Sequence, residues 1–327
     1  MKPTVALTMG DPAGIGSEII VAGYPQIRDL AKPVVIGDAS VMRDAVSMLD
    51  ASVAINPVET VEAATFALGQ LDVLDPDLVS DVEYGVVRED YGAASLAYVE
   101  RAIDLAVAGD VNAITTAPIH KQATRLAGSE FAGHTDLLAD RTGTGNYSMM
   151  LIHDDLRVAH VSTHVPLREA CDLVTTESVL ETIRVTVDGL SDIGIENPRI
   201  AVAGLNPHAS DGGLLGDTEA TEISPAVERA SEEGIDVTGP EPPDTVYVQT
   251  ADGEADCVVA MYHDQGHIPI KMIGFGDGTI TGVNMTVGLP IVRSSVDHGT
   301  AFDIAGRGIA DPTSLVDAVA VAVRAAG

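Results

Sequence analysis

Short runs of β-branched residues alternate along this chain with longer stretches whose apolar residues fall at helical spacing, and that alternation confines it to an α/β architecture. TVALTM (4–9), VVIG (34–37), ASVAI (51–55), AITTAP (113–118), RIAVAGL (199–205) and CVVAMY (257–262) read as strands. Helices are predicted from Ser17, from about Ser40, from about Pro166, from Thr176 and from Thr313. Another is predicted over Tyr91–Gly109, where Leu96, Val99, Ile103 and Val107 share a face and a glycine ends the run. SMMLIHDDLRVAHVST (148–163) breaks the alternation: two extended runs flank Asp154-Asp155, as in a β-hairpin. With 327 residues, about two domains are expected. The pattern predicts two lobes sharing an interdigitated core, an outer α/β lobe of 1–130 plus about 295–327 and a central lobe of about 131–294. GPEPPD (239–244) reads as a rigid connector.

Composition narrows the function classes. Aromatic residues are 3% and tryptophan is absent, so the core is built from Val, Ile, Leu and Ala. The net charge is −31, with only four lysines (Lys2, Lys32, Lys121, Lys271) and no basic cluster. That excludes a nucleic-acid footprint and binding to an anionic membrane surface. No apolar run approaches a membrane span and MKPTVALTMGDP lacks the layout of a signal peptide, so a cytoplasmic protein is expected. Two cysteines, Cys171 and Cys257, supply neither a disulfide framework nor a paired metal motif. Dispersed acid with scarce lysine predicts the surface of a protein from a salt-loving (halophilic) microbe, where salt screens self-repulsion.

Several constellations carry chemistry. Gly10–Gly16 (GDPAGIG) joins a strand to a helix. Its spacing is neither the dinucleotide fingerprint nor a P-loop, leaving an anion-binding turn and a plain tight turn as alternatives. Three histidine groups sit at strand ends: THVP around His164, NPH around His208, and YHDQGH with His263 and His267. Strands ending at one edge of an α/β sheet gather distant residues, so three imidazoles can hold a divalent ion. The pairs His263/His267 and His160/His164 are rivals, and each histidine taken alone is more often structural. Lys271, beside this group, suits a phosphate or carboxylate. Asn284 and Arg293 flank NMTVGLPIVR, where an arginine at a strand end suits an oxyanion. In HGTAFDIAGRGIADP (298–312), small residues let a flat ligand approach the backbone. Asp303 there can bond a ribose 2′-hydroxyl and repel a 2′-phosphate.

MGDPAGIGSEI, TAPIHK, GHTDLLADRTG, STHVPLREA, LNPHASDGG, AMYHDQGHIPIK and NMTVGLPIVRSSVDHGTAFDIAG occur in order from residue 5 to about 312 and together resemble the 4-hydroxythreonine-4-phosphate dehydrogenase family. The 298–312 segment is also similar to the adenosine-binding loop of the isocitrate/isopropylmalate dehydrogenase group. The resemblance implies a two-lobed isopropylmalate-dehydrogenase-like fold, not a Rossmann domain. It implies a homodimer, built through the hairpin region, whose active site lies between lobes and draws on both subunits. It maps metal ligands onto His164, His208 and His263, the last from the partner chain. Substrate contacts map onto His134, Thr135, Lys271, Asn284 and Arg293. NAD contacts map onto Gly299, Ala301, Asp303, Ile304 and Gly306.

The chemistry implied is NAD-dependent oxidation of a small 4-phosphorylated four-carbon hydroxy acid, then decarboxylation, with Asp244 or His134 as base. Zinc is the first choice of metal, with cobalt, nickel or manganese as alternatives. Between Phe275 and Asn284 the chain reads GDGTITGV, longer than the GRGV-type link of the vitamin B6 enzymes. That favours a sister branch acting on D-threonate or D-erythronate 4-phosphate and yielding dihydroxyacetone phosphate. A non-redox phosphate acyltransferase and a sugar-phosphate binding protein are the readings from other classes.

Overall fold

The computed structural model describes residues 2–131, 133–274 and 282–327. The GDGTITGV link therefore lies, but for its last two residues, outside the described residues. In chain order the strands are β1 (Thr4–Thr8), β2 (Lys32–Ile36), β3 (Ala54–Val58), β4 (Gln70–Leu74), β5 (Ala113–Thr116), β6 (Ser148–His153), β7 (Leu156–His160), β8 (Arg199–Ala203), β9 (Asp236–Glu241), β10 (Cys257–Ala260), β11 (Val283–Val287) and β12 (Arg293–Val296). The chain forms a mixed α/β fold of two compact units, Met1–Gly143 with Pro290–Gly327, and Thr144–Leu289.

In the first unit the strand order is β3-β4-β2-β1-β5-β12, every neighbouring pair parallel. This differs from the 3-2-1-4-5-6 order of a dinucleotide-binding Rossmann sheet. Parallel strands are covered on both faces, which is why β1, β2 and β5 carry no charge beyond Lys32 and are buried at nearly every position. Helices Gly16–Leu30, Glu89–Ala108 and Thr313–Ala325 provide that cover through Ile19, Ile20, Ile27, Tyr98, Ile103, Leu315 and Val319, all almost fully buried. Gly109 ends the second of these in the left-handed conformation, the C-cap that the sequence signalled.

The second unit has the order β11-β6-β7-β10-β8-β9. β6 pairs antiparallel with both β11 and β7, and β7, β10, β8 and β9 run parallel. β6 and β7 are the expected hairpin, turning at Asp154, which takes a positive φ of 48°. Leu151, Leu156, Val158, Tyr247, Val258 and Ile270 form the core of this unit.

Three local expectations shift. ASVAI (51–55) yields strand only from Ala54, because Ala51 is still tied to the preceding helix by its amide bond to the Val46 carbonyl. β4 has little apolar periodicity and was not anticipated. Its buried Asp72 is paid for by bonds from Asn56 Nδ2 (2.6 Å) and the Phe66 amide (2.7 Å). The GPEPPD connector is half strand: β9 runs to Glu241 and pairs with β8 through a bulge between Ala201 and Ala203.

Asp256 anchors β10 to the start of β8, accepting from the Arg199 amide (2.8 Å) and from Arg199 Nε (3.3 Å). Burial opposes ionisation here, but these bonds and the guanidinium charge outweigh it and hold the carboxyl below its usual range. A depressed carboxyl stabilises the fold above its unfolded value near 4, and that contribution is lost as the pH falls through the folded value. The pair is partly exposed, so its worth is about 1 kcal/mol. Asp256→Asn is expected to lower the thermal midpoint by about 2 °C at neutral pH, with the gap to wild type closing by pH ~3. An equal gap at both pH values, measured by calorimetry, would refute this account.

Candidate active site

Parallel pairing decides where the histidines go. β7, β10 and β8 are neighbours, with Ala260 opposite His160 and Val259 opposite Val202. Their carboxyl ends therefore lie along one edge. His164 follows β7 by four residues, His263 follows β10 by three, and His208 follows β8 by five. Asp244 follows β9, the neighbour of β8, by three. The carboxyl edge of such a sheet is where α/β proteins place ligands.

His164 and His263 face each other with ring centroids 5.7 Å apart. They line a cavity of about 300 Å³ together with Thr163, Val165, Tyr262 and Asp264. His263 Nδ1 meets Asp264 Oδ1 at 2.7 Å, a carboxylate partner of the kind that orients a ligating imidazole. His208 lies in a run of left-handed backbone, His208, Ala209, Ser210 and Asp211 all having φ between 48° and 65°. Left-handed non-glycine backbone costs roughly 1–2 kcal/mol per residue, so a run of four is strain concentrated at this turn. His208 Nδ1 stands 3.7 Å from Asp244 Oδ2. Among the described residues of one chain, no three histidine, cysteine or carboxylate side chains lie close enough together to hold a metal.

The helix His263–Gly274 puts His263, His267 and Lys271 at successive i, i+4 positions on one face. The His263 and His267 rings stack at 3.6 Å with an interplanar angle of 11°. Nitrogen lone pairs lie in the ring plane, so near-parallel stacked rings cannot both point at one ion. This arrangement removes the His263/His267 chelate alternative. His160 is buried instead, its Nδ1 bonded to the Met149 carbonyl (2.9 Å) and its Nε2 to His267 Nδ1 (3.2 Å). Burial pushes His160 down to about 4 and His267 down to about 2, so both are neutral at physiological pH.

Two residues that the motif reading passed over hold this edge together. Gln265 donates from Nε2 to the Gly204 carbonyl (2.7 Å) and accepts from the Met261 amide (2.7 Å), tying the end of β10 to the end of β8. Glu219 is buried and accepts from the Asn206 amide (2.6 Å) and Nδ2 (3.0 Å), fixing the loop that carries His208. Neither has a local signal beyond being polar among small residues.

In the first unit, Arg293 opens β12, is 2% exposed, and donates from Nη2 to Thr116 Oγ1 (2.8 Å) on the neighbouring β5. Burial pushes its guanidinium down to about 9, still cationic at neutral pH. His134 and Thr135 begin the helix His134–Thr142. The Nε2 end of His134 is closed off from solvent with no hydrogen-bond partner among the described residues. Burial, then the charges of Arg293 and Lys121, holds that imidazole neutral. Asn284 lies on β11 in the second unit, opposite Leu151.

The turn at Gly10–Gly16 is closed by its own chain. The Ala13 amide donates to Asp11 Oδ1 (2.9 Å), Gly14 to the Asp11 carbonyl (3.0 Å) and Ile15 to the Thr300 carbonyl (3.2 Å). With these amides spent and an acidic residue at its centre, the segment acts as a structural turn that clamps the 299–311 loop. That loop is a series of tight turns, with Ala301, Gly306 and Gly308 at positive φ. Gly299 and Asp303 are exposed, Ile304 is half-buried, and the Phe302 ring stacks on His120 at 4.7 Å.

A family described as pyridoxal phosphate biosynthetic protein PdxA matches residues 29–322. A 4-hydroxythreonine-4-phosphate dehydrogenase of Desulfosudis oleivorans is 45% identical over 98% of this chain and 96% of its own. A D-threonate 4-phosphate dehydrogenase of Salmonella typhimurium is 46% identical over 99% of both. Among solved structures, a 4-hydroxythreonine-4-phosphate dehydrogenase from Klebsiella pneumoniae superposes with a TM-score of 0.87 at 41% identity, covering 100% of this chain and 98% of that one.

Proposed function

From the premise that the chain belongs to the pyridoxal phosphate biosynthetic protein PdxA family, and so is a dehydrogenase, we propose that it oxidises a 4-phosphorylated four-carbon hydroxy acid with NAD and one divalent metal ion. The observation that carries this reading is the delivery of His164, His208 and Asp244 of one chain to the carboxyl ends of the parallel strands β7, β8 and β9.

The donor set fits a borderline divalent ion such as zinc: imidazoles, one beside a carboxylate, around a cavity of water-holding size. His164 and His208 are the ligands we assign to one chain, with the third imidazole, His263, supplied by the other subunit of a homodimer. The fold we take to be of the isopropylmalate dehydrogenase kind.

When bound, the metal acidifies the substrate hydroxyl and the nicotinamide accepts the hydride. Asp244 or His134 takes the hydroxyl proton; His134 is suited because it is held neutral with its Nε2 unpartnered. The alcohol carbon becomes a ketone. The 3-oxo acid then releases CO2, the electron pair of the breaking bond passing to the ketone oxygen before reprotonation. We assign Lys271, Asn284, Arg293, His134 and Thr135 to the phosphate and carboxylate, and Gly299, Ala301, Asp303, Ile304 and Gly306 to the cofactor. The exposed Asp303 favours NAD over NADP by repelling a 2′-phosphate.

Relatives of near-equal identity carry two substrate names, so the test offers both. NADH formation is measured in concentrated KCl with 4-phosphohydroxy-L-threonine, 4-phospho-D-threonate and 4-phospho-D-erythronate, before and after chelation. Turnover of one of them, lost on chelation and restored by zinc, cobalt, nickel or manganese, is the expected outcome. The GDGTITGV link favours the threonate or erythronate phosphate. No turnover of any of the three by folded, metal-loaded protein would sink the reading and bring forward a non-redox acyl transfer.

A further inference from the structure

Glu18 sits in the first turn of the helix Gly16–Leu30 and is 0% exposed. Its partners lie almost three hundred residues away in sequence. Oε1 accepts from the Gly306 amide at 2.7 Å and Oε2 from the Gly308 amide at 2.7 Å. Each carboxylate oxygen thus takes one backbone donor of the 299–311 loop, a charge-assisted pair in a site closed to water. Both glycines need the left-handed backbone they adopt, with φ of +80° and +66°. A Cβ on Gly306 would lie 2.8 Å from the Tyr84 ring. The loop is gripped from a second side where Ile15 donates to the Thr300 carbonyl.

We propose that Glu18 is a positioning residue for the nicotinamide cofactor: it holds the 299–311 loop in its cofactor-accepting shape before the cofactor arrives. The inference rests on the assignment of that loop to NAD. It adds that the Gly306 and Gly308 amides are spent on Glu18 and do not serve as a phosphate cradle. The cofactor therefore meets other atoms of the loop than these two amides, among them the exposed Asp303 side chain. A loop ordered during folding leaves less entropy to be lost on binding, so the grip is read out in cofactor affinity.

Glu18→Gln keeps the shape but offers one acceptor oxygen and turns an amide NH2 against the second glycine N–H. Because the chain has no tryptophan, the emission of NADH itself reports binding. The variant is expected to bind NADH at least tenfold more weakly, while its affinity for the phosphorylated acid, measured by calorimetry, stays within twofold. A merely structural role would weaken both ligands together. Amide exchange on the cofactor-free wild-type protein is the second arm, and it holds even if the variant fails to fold. Gly306 and Gly308 are expected to be strongly protected, and exchange at the rate of an open loop would overturn the proposal. NADH binding by wild type and variant with equal affinity overturns it as well. Absence of NADH binding by folded wild type overturns the cofactor assignment instead, with loop protection still reporting on the Glu18 grip.

Discussion

Turnover is expected to fall by at least ~10³-fold in His164→Ala and in His208→Asn, with the thermal midpoint staying within about 2 °C of wild type. Both side chains are exposed, so neither supports the core. Asparagine is chosen at 208 because it tolerates the left-handed backbone there, whereas alanine would add strain of its own. The expected size follows from the proposed ion: without one, the substrate hydroxyl would keep its ordinary pKa, many units above the pH of the reaction. Metal content by plasma emission, read beside the kinetics, separates loss of the ion from loss of a base. Variants that retain wild-type turnover, or lose it with a full complement of metal, would remove these histidines from the ligand set.

Arg293→Met is expected to lower kcat/KM by about 10³ without destabilising the protein. A buried guanidinium is costly to desolvate, and burial is what depresses this one. Methionine removes that cost and fills much of the space, against the loss of the guanidinium's hydrogen bonds, of which the one to Thr116 is worth about 1 kcal/mol. A structural arginine would show the opposite signature, lower stability with activity kept. Arg293→Lys should fare little better than methionine, since a lysine cannot present the planar fork that grips phosphate or carboxylate in two places. Steady-state kinetics with the turned-over acid, beside a melting curve, decides between the two signatures. Normal kcat/KM with a lowered midpoint would reassign Arg293 to the fold.

Much of the frame was legible because it is written in local periodicity. The runs at β1, β2, β5, β8 and β10 are rich in Val, Ile, Leu and Ala because parallel strands are covered on both faces, and the hairpin is legible because Asp154-Asp155 interrupts two extended runs. β4 is not legible because its buried Asp72 reads as a polar surface residue, and its satisfaction by the Asn56 side chain and the Phe66 amide follows from no side-chain pattern. The candidate ligands were visible as histidines at strand ends. Their rivals were not separable in sequence: four-residue spacing alone allows His263 and His267 to chelate, and only the stacked, near-parallel rings exclude it.

The α/β class, the cover of small aliphatic residues and the motifs that mark the family were all present in the chain before folding. These follow from spacing and composition, which are local or additive. The tertiary structure alone decided strand order, and with it which chain ends meet. It set β8 and β10 side by side so that Gln265 can join them, buried Arg293 against Thr116, and brought Glu18 to the glycines of a loop near the other end of the chain. Such contacts pair residues far apart in sequence, and those of Gln265 and Glu18 engage backbone amides and carbonyls, which every residue type carries, so no local pattern of side chains announces them.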